Sequence, residues 1–140
     1  MQKMRQDLNP TTTTPKVLAI DDCIDSIRLL STILSHYHCD LDLAFDGQDA
    51  IPLLQSQNFD LVILDWQMPK MGGQETLLLL EQIVPPSRKK SPTPVLLYTS
   101  SHYSQITLPE LRQFKYAGWI DKQSSFNSKF RSIGNALALI

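Results

Sequence analysis

The hydrophobic pattern changes period along the chain, and each change marks an element. Lys16–Ile20 is a short apolar run that stops at Asp21-Asp22. Leu61–Leu64 stops the same way at Asp65, and Pro94–Tyr98 stops at Thr99-Ser100-Ser101. Runs this short, without helical spacing, predict buried strands. Leu41, Leu43 and Phe45 alternate with Asp42 and Ala44, which predicts a half-buried strand closing at Asp46-Gly47. Ala117–Asp121 predicts a short fifth strand, with Lys122 directly behind it.

Between these runs the spacing turns helical. Ile24, Ile27, Leu30, Ile33 and Leu34 share one face up to about Tyr37, and Ala50, Ile51, Leu53 and Leu54 make a shorter helix. Thr76–Val84 is a third, ended by Pro85-Pro86. Pro109 suits a first helical turn, which predicts a short helix over 108–115. Ser124 or Ser125 can cap a last helix whose stripe is Phe126, Phe130, Ile133, Leu137 and Ile140. Residues 1–15 are polar and read as a disordered tail. The proline-rich stretch from Pro85 to Pro94, with Arg88-Lys89-Lys90 inside it, reads as a loop.

Five strands alternating with five helices is the pattern of a doubly wound parallel α/β sheet. Right-handed crossovers bring the ends of all strands to one edge, the edge where such sheets bind ligands. That edge gathers Asp21, Asp22, Asp65, Thr99 and Lys122.

Composition narrows the setting. The 140 residues fit one domain, 16–140 behind the tail. No apolar run is long enough to cross a membrane. With Cys23 and Cys39 the only cysteines, a disulfide scaffold is disfavoured and a cytoplasmic location is expected. The net charge of −1 hides an asymmetry: ten acids stand against four bases through Asp65, then four acids against nine bases after it. Two solvated faces of opposite sign would give this, as would an acidic site beside a basic partner surface.

The gathered residues suggest a chemistry. Three carboxylates in a small space repel one another. A hard divalent cation relieves that repulsion, and an all-oxygen set suits Mg²⁺. Lys122 is a point charge fit for a phosphoryl oxygen, and the Thr99 hydroxyl can donate to another. Asp65, between them, could then attack phosphorus in line. Singly each residue has a plainer reading, Thr99 as a cap and Lys122 as an ion-pair partner. Their order at successive strand ends is hard to obtain by accident.

On these residues, together with Met68-Pro69, Gly73, Ala44 and Gly47, the chain from about Lys16 to Ile140 resembles a response-regulator receiver domain of two-component signalling, the CheY-like class. The resemblance implies strand order 2-1-3-4-5. It implies that Asp65 is the phosphoacceptor, with Thr99 and Lys122 binding the phosphoryl group. Asp22, Asp65 and the backbone carbonyl of Gln67 would bind Mg²⁺ directly, and Asp21 through a water. The donor would be a phosphohistidine on a sensor histidine kinase or phosphotransfer protein. The output would be a protein contact, with no nucleic acid or membrane bound directly.

Trp119, Arg112, Lys115, Lys129 and Arg131 form the expected switch and partner surface, which would favour an acidic target. A stand-alone receiver, monomeric or weakly dimeric and not an enzyme in its own right, is the expectation. Gln123 follows Lys122 where the family usually has proline, which predicts a trans bond and a rearranged loop that shifts the lysine. Trp119 stands at the family's switch aromatic and either moves in and out or stays a surface anchor. Gln67 and Ser101 occupy positions that influence phosphoryl lifetime in the family, and Ser100 adds a polar group.

Three other readings compete. A receiver-like module that never becomes phosphorylated would bind proteins constitutively. A haloacid-dehalogenase-like phosphatase would want a second Asp where Gln67 stands. A flavodoxin would want a hydroxyl-rich loop where Asp21-Asp22 stands.

Overall fold

The computed structural model describes residues 14–87, 91–100 and 106–140. The expected tail through Thr13, the triplet Arg88-Lys89-Lys90, and Ser101 with His102 lie outside the described residues. Five parallel strands form one sheet in the order β2-β1-β3-β4-β5: β1 Lys16–Ile20, β2 Asp40–Ala44, β3 Leu61–Asp65, β4 Thr93–Thr99 and β5 Phe114–Asp121. Four helices are present among the described residues: α1 Ile24–His36, α2 Gly47–Ser56, α3 Gly73–Leu80 and α4 Phe126–Leu137.

The strand patterns follow from position. β3 and β4 lie inside the sheet and are buried along their whole length. Both faces are covered by helices, so nothing in them needs to be polar. β2 is an edge strand, and its Asp40, Asp42 and alternating leucines show it. Leu18, Ile20, Val62, Leu64, Val95 and Leu97 form one core with residues of α2 and α3. Val17, Ala19, Leu61, Ile63, Leu96 and Tyr98 form the other, with residues of α1 and α4.

The helix expected over 108–115 is absent, and the physical cause is a competitor for its backbone donors. The Glu81 carboxylate, just beyond α3, accepts the N–H groups of Arg112 (2.8 Å), Gln113 (2.8 Å) and Phe114 (3.1 Å). The Gln113 side chain donates to the Glu81 carbonyl. The Tyr116 hydroxyl donates to the Pro109 carbonyl at 2.6 Å. Those donors cannot also close helical turns. Leu108 and Leu111 pack on the α2–α3 side of the sheet, and the chain enters β5 at Phe114.

β5 is therefore longer than expected, and it is irregular. Val95 pairs with Tyr116 but Leu97 pairs with Trp119, so one residue of β4 faces two of β5. Gly118 occupies the bulge at φ +115°, a backbone that favours glycine. The extra residue resets which side chain faces which core. Phe114 and Tyr116 join the α2–α3 core, and beyond the bulge Trp119 joins it as well, while Ile120 joins the α1–α4 core.

Candidate functional site

The strand order reverses between β1 and β3, and two acids stand at the carboxyl ends of those strands. Asp21 follows β1, with its N–H bonded to the Ala44 carbonyl at the end of β2. Asp65 is the last residue of β3, in register with Tyr98 of β4. Each is 1% exposed. Asp22 is exposed beside them, and one carboxylate oxygen from each of the three lies within 4.8 Å of the others.

The loop after β3 is shaped around Asp65. The Gln67 N–H donates to Asp65 Oδ1 at 3.1 Å. The Gly73 N–H donates to the Trp66 carbonyl at 2.9 Å, which closes the loop onto α3. The Trp66 ring then lies so near Gly73 that a Cβ there would sit 2.2 Å from it. A glycine is needed at that close approach. The Gln67 side chain reaches across to the next loop, where its Oε1 accepts from the Ser100 N–H (2.9 Å) and hydroxyl (2.8 Å).

Lys122 arrives from the end of β5. Its N–H donates to the Thr99 carbonyl at 2.9 Å, and Thr99 is fully buried one residue past the Asp65–Tyr98 pair. Its ammonium lies 2.6 Å from Asp65 Oδ1 and 5.4 Å from the centre of the Tyr98 ring. The peptide bond to Gln123 is trans, since the described chain has no cis bond. With this trans bond the ammonium still reaches Asp65.

Burial dominates the electrostatics of the two inner acids. Burial raises the Asp21 carboxyl from 3.8 to about 6, against the pull of the Cys23 N–H. Burial also raises Asp65, against the Lys122 ammonium and the Gln67 N–H. Among the described residues, Asp21 Oδ2 and Asp65 Oδ2 are buried without a hydrogen-bond partner. Two orphaned carboxylate oxygens beside a third acid fit a hard divalent cation, whose charge would remove both costs. A cleft of about 190 Å³ lined by Asp22, Asp46, Met68, Pro69 and Lys70 opens next to them. The larger cavity, about 560 Å³, lies at the opposite edge of the sheet, among Leu54, Phe59, Ile83 and Phe114, and has none of these acids.

The expected partner surface is only partly assembled. Arg112, Lys115 and Arg131 are exposed, and Trp119 is half-buried against the α2–α3 core. Lys129 is a correction: it is 4% exposed and cannot present its charge to a partner. Its ammonium is turned inward, to the carbonyls of Lys122 (2.9 Å) and Ser124. A signal for this existed in the sequence. Lys129 stands three and four residues from Phe126 and Ile133, on the helix face that also buries Ala136.

Comparison with known proteins agrees with this geometry. The family profile described as "Response regulator receiver domain" matches residues 17–131. The chain is 38% identical over 85 residues to the "Transcriptional regulatory protein CpxR homolog" of Haemophilus influenzae, covering 61% of this chain and 34% of that protein. It is 38% identical over 61 residues to the "Autoinducer 2 sensor kinase/phosphatase LuxQ" of Vibrio harveyi, covering 44% of this chain and 7% of that one. It thus spans about a third or less of the length of these relatives. Among solved structures, the chemotaxis response regulator CheY4 of Vibrio cholerae superposes with a TM-score of 0.69 at 25% identity, covering 89% of this chain and 99% of that one. No helix among the described residues is long and apolar enough to cross a membrane.

Proposed function

Since the chain belongs to the response regulator receiver domain family, we propose that it takes a phosphoryl group on Asp65 and signals through a protein contact that depends on it. The observation that carries this is the placement of the Lys122 ammonium 2.6 Å from Asp65 Oδ1 while Asp65 Oδ2 and Asp21 Oδ2 have no hydrogen-bond partner among the described residues. An ion pair kept only for stability would leave fewer buried oxygens unsatisfied.

The chain's own groups divide the work. Asp65 supplies the nucleophilic oxygen. The new bond is O–P, the bond broken is the N–P bond of a phosphohistidine donor, and the imidazole nitrogen recovers a proton from solvent. Lys122 offers its ammonium to a phosphoryl oxygen, and the Thr99 hydroxyl donates to another. The Gln67 N–H holds Asp65 Oδ1, which fixes the orientation of the carboxylate. Asp21, Asp22 and Asp65 would hold Mg²⁺, with the Gln67 carbonyl as a further ligand. The ion supplies charge that offsets the acids and draws in the phosphoryl oxygens.

The donor in this reading is a histidine kinase or a histidine phosphotransfer protein. The exposed bases Arg112, Lys115 and Arg131 favour an acidic target. Incubation with acetyl phosphate and Mg²⁺ tests the reading. The protein should gain the mass of one phosphoryl group, and Asp65→Asn or a chelator should prevent it. A chain that stays unmodified under these conditions, while folded, would support the constitutive binding module instead.

A further inference from the structure

Lys129 carries a charge in a place that disfavours one. It is 4% exposed, and among the described residues it makes no ion pair. It belongs to the first turn of α4, where the helix dipole opposes a cation. Burial and dipole both work against it, so the ammonium must gain something there. Its partners are the carbonyls of Lys122 and Ser124, which bracket the turn between β5 and α4.

We propose that Lys129 is a positioning residue, whose ammonium locks the main chain of Lys122 and so aims the Lys122 side chain at Asp65. This rests on the phosphoacceptor reading above. The main chain of Lys122 is gripped from both sides. Its N–H is tied to Thr99 of β4, and its C=O is tied to Lys129 of α4. With both groups fixed, the direction of its Cα–Cβ bond is fixed.

The rest of the turn is held by local bonds. Asp121 Oδ1 accepts the Gln123 N–H at 2.8 Å, and the Asp121 carbonyl accepts from the Ser124 N–H and hydroxyl. None of these reaches the Lys122 carbonyl. The trans bond to Gln123 adds no ring constraint, so the ammonium of Lys129 is what restrains that carbonyl. A lysine side chain in a helix leans toward the helix N-terminus, which lets residue 129 reach back to residue 122.

The test is a double-mutant cycle on phosphorylation by acetyl phosphate with Mg²⁺, using Lys129→Met and Lys122→Ala. Lys129→Met keeps the length of the side chain and removes the donor. It should slow phosphorylation by about tenfold to a hundredfold, while Mg²⁺ affinity, read from tryptophan fluorescence, stays within roughly twofold because no metal-binding acid is touched. In the Lys122→Ala background Lys129→Met should change the rate little, because its effect passes through Lys122. A Lys129→Met rate equal to wild type, or an equal loss in both backgrounds, would overturn the proposal and leave the phosphoacceptor reading standing. A wild-type protein that takes no phosphoryl group would overturn both. Should Lys129→Met fail to fold, the wild-type protein decides. NMR should detect coupling from the Lys129 ammonium to the carbonyl carbons of Lys122 and Ser124, and exposure of that ammonium to rapid exchange would overturn the assignment.

Discussion

Asp21 carries the most direct pH prediction. Its carboxyl is raised from 3.8 to about 6 by burial, so the folded protein holds a proton that the unfolded chain would release. Without metal, its contribution to stability is present below about pH 4 and is lost as pH rises through about 6. Asp65 shifts in the same direction. Unfolding melts of the metal-free protein should therefore show stability falling across this window. Added Mg²⁺ should restore more at pH 7.5 than at pH 5, since binding needs the proton gone. Asp21→Asn should stabilise the metal-free protein at pH 7 by roughly 1–3 kcal/mol and weaken Mg²⁺ binding. A stability profile flat in pH would refute this account of the acids. The meeting of Asp21, Asp22, Asp65, Thr99 and Lys122 at one edge was legible because strand ends announce themselves, with an apolar run stopping on an acid, a threonine or a lysine. The role of Lys129 was not, because a lysine in an amphipathic helix reads as solvated unless its exact place on the buried face is weighed.

At the scale of elements, the segment before β5 holds its shape through one distant side chain. Glu81 accepts three consecutive backbone N–H groups, so Glu81→Ala should cost about 2 kcal/mol in urea unfolding and speed amide exchange at residues 112–114. If exchange there is unchanged, Glu81 is not what suppresses the helix. Gly118→Ala should cost about 1–3 kcal/mol, because φ of +115° strains any residue with a Cβ. These two features also explain where sequence reading failed. Pro109 and Leu111 look like the start of a helix, and no local pattern reveals a carboxylate some thirty positions earlier. The bulge at Gly118 breaks the alternation of Phe114–Asp121 midway, so only its second half reads as a strand. The strands β1, β3 and β4 were legible because burial on both faces leaves continuous apolar runs.

For the whole molecule, the parallel strand order brings residues far apart in the chain to one edge, and the sheet supplies the rigidity that holds them. Part of the charge asymmetry is expressed there: Asp21, Asp22 and Asp65 of the first half meet at the site, while Arg112, Lys115 and Arg131 remain exposed. Affinity for the target in this account should fall several-fold between roughly 0.05 and 0.2 M salt, and a flat response by calorimetry would remove the electrostatic part. The central claim is that Asp65 becomes an acyl phosphate. Peptide mapping by mass spectrometry after acetyl phosphate, Mg²⁺ and borohydride trapping tests it most directly. The account predicts a single modified residue, Asp65, dependent on the metal; an adduct on another residue, or none on a folded protein, would contradict it.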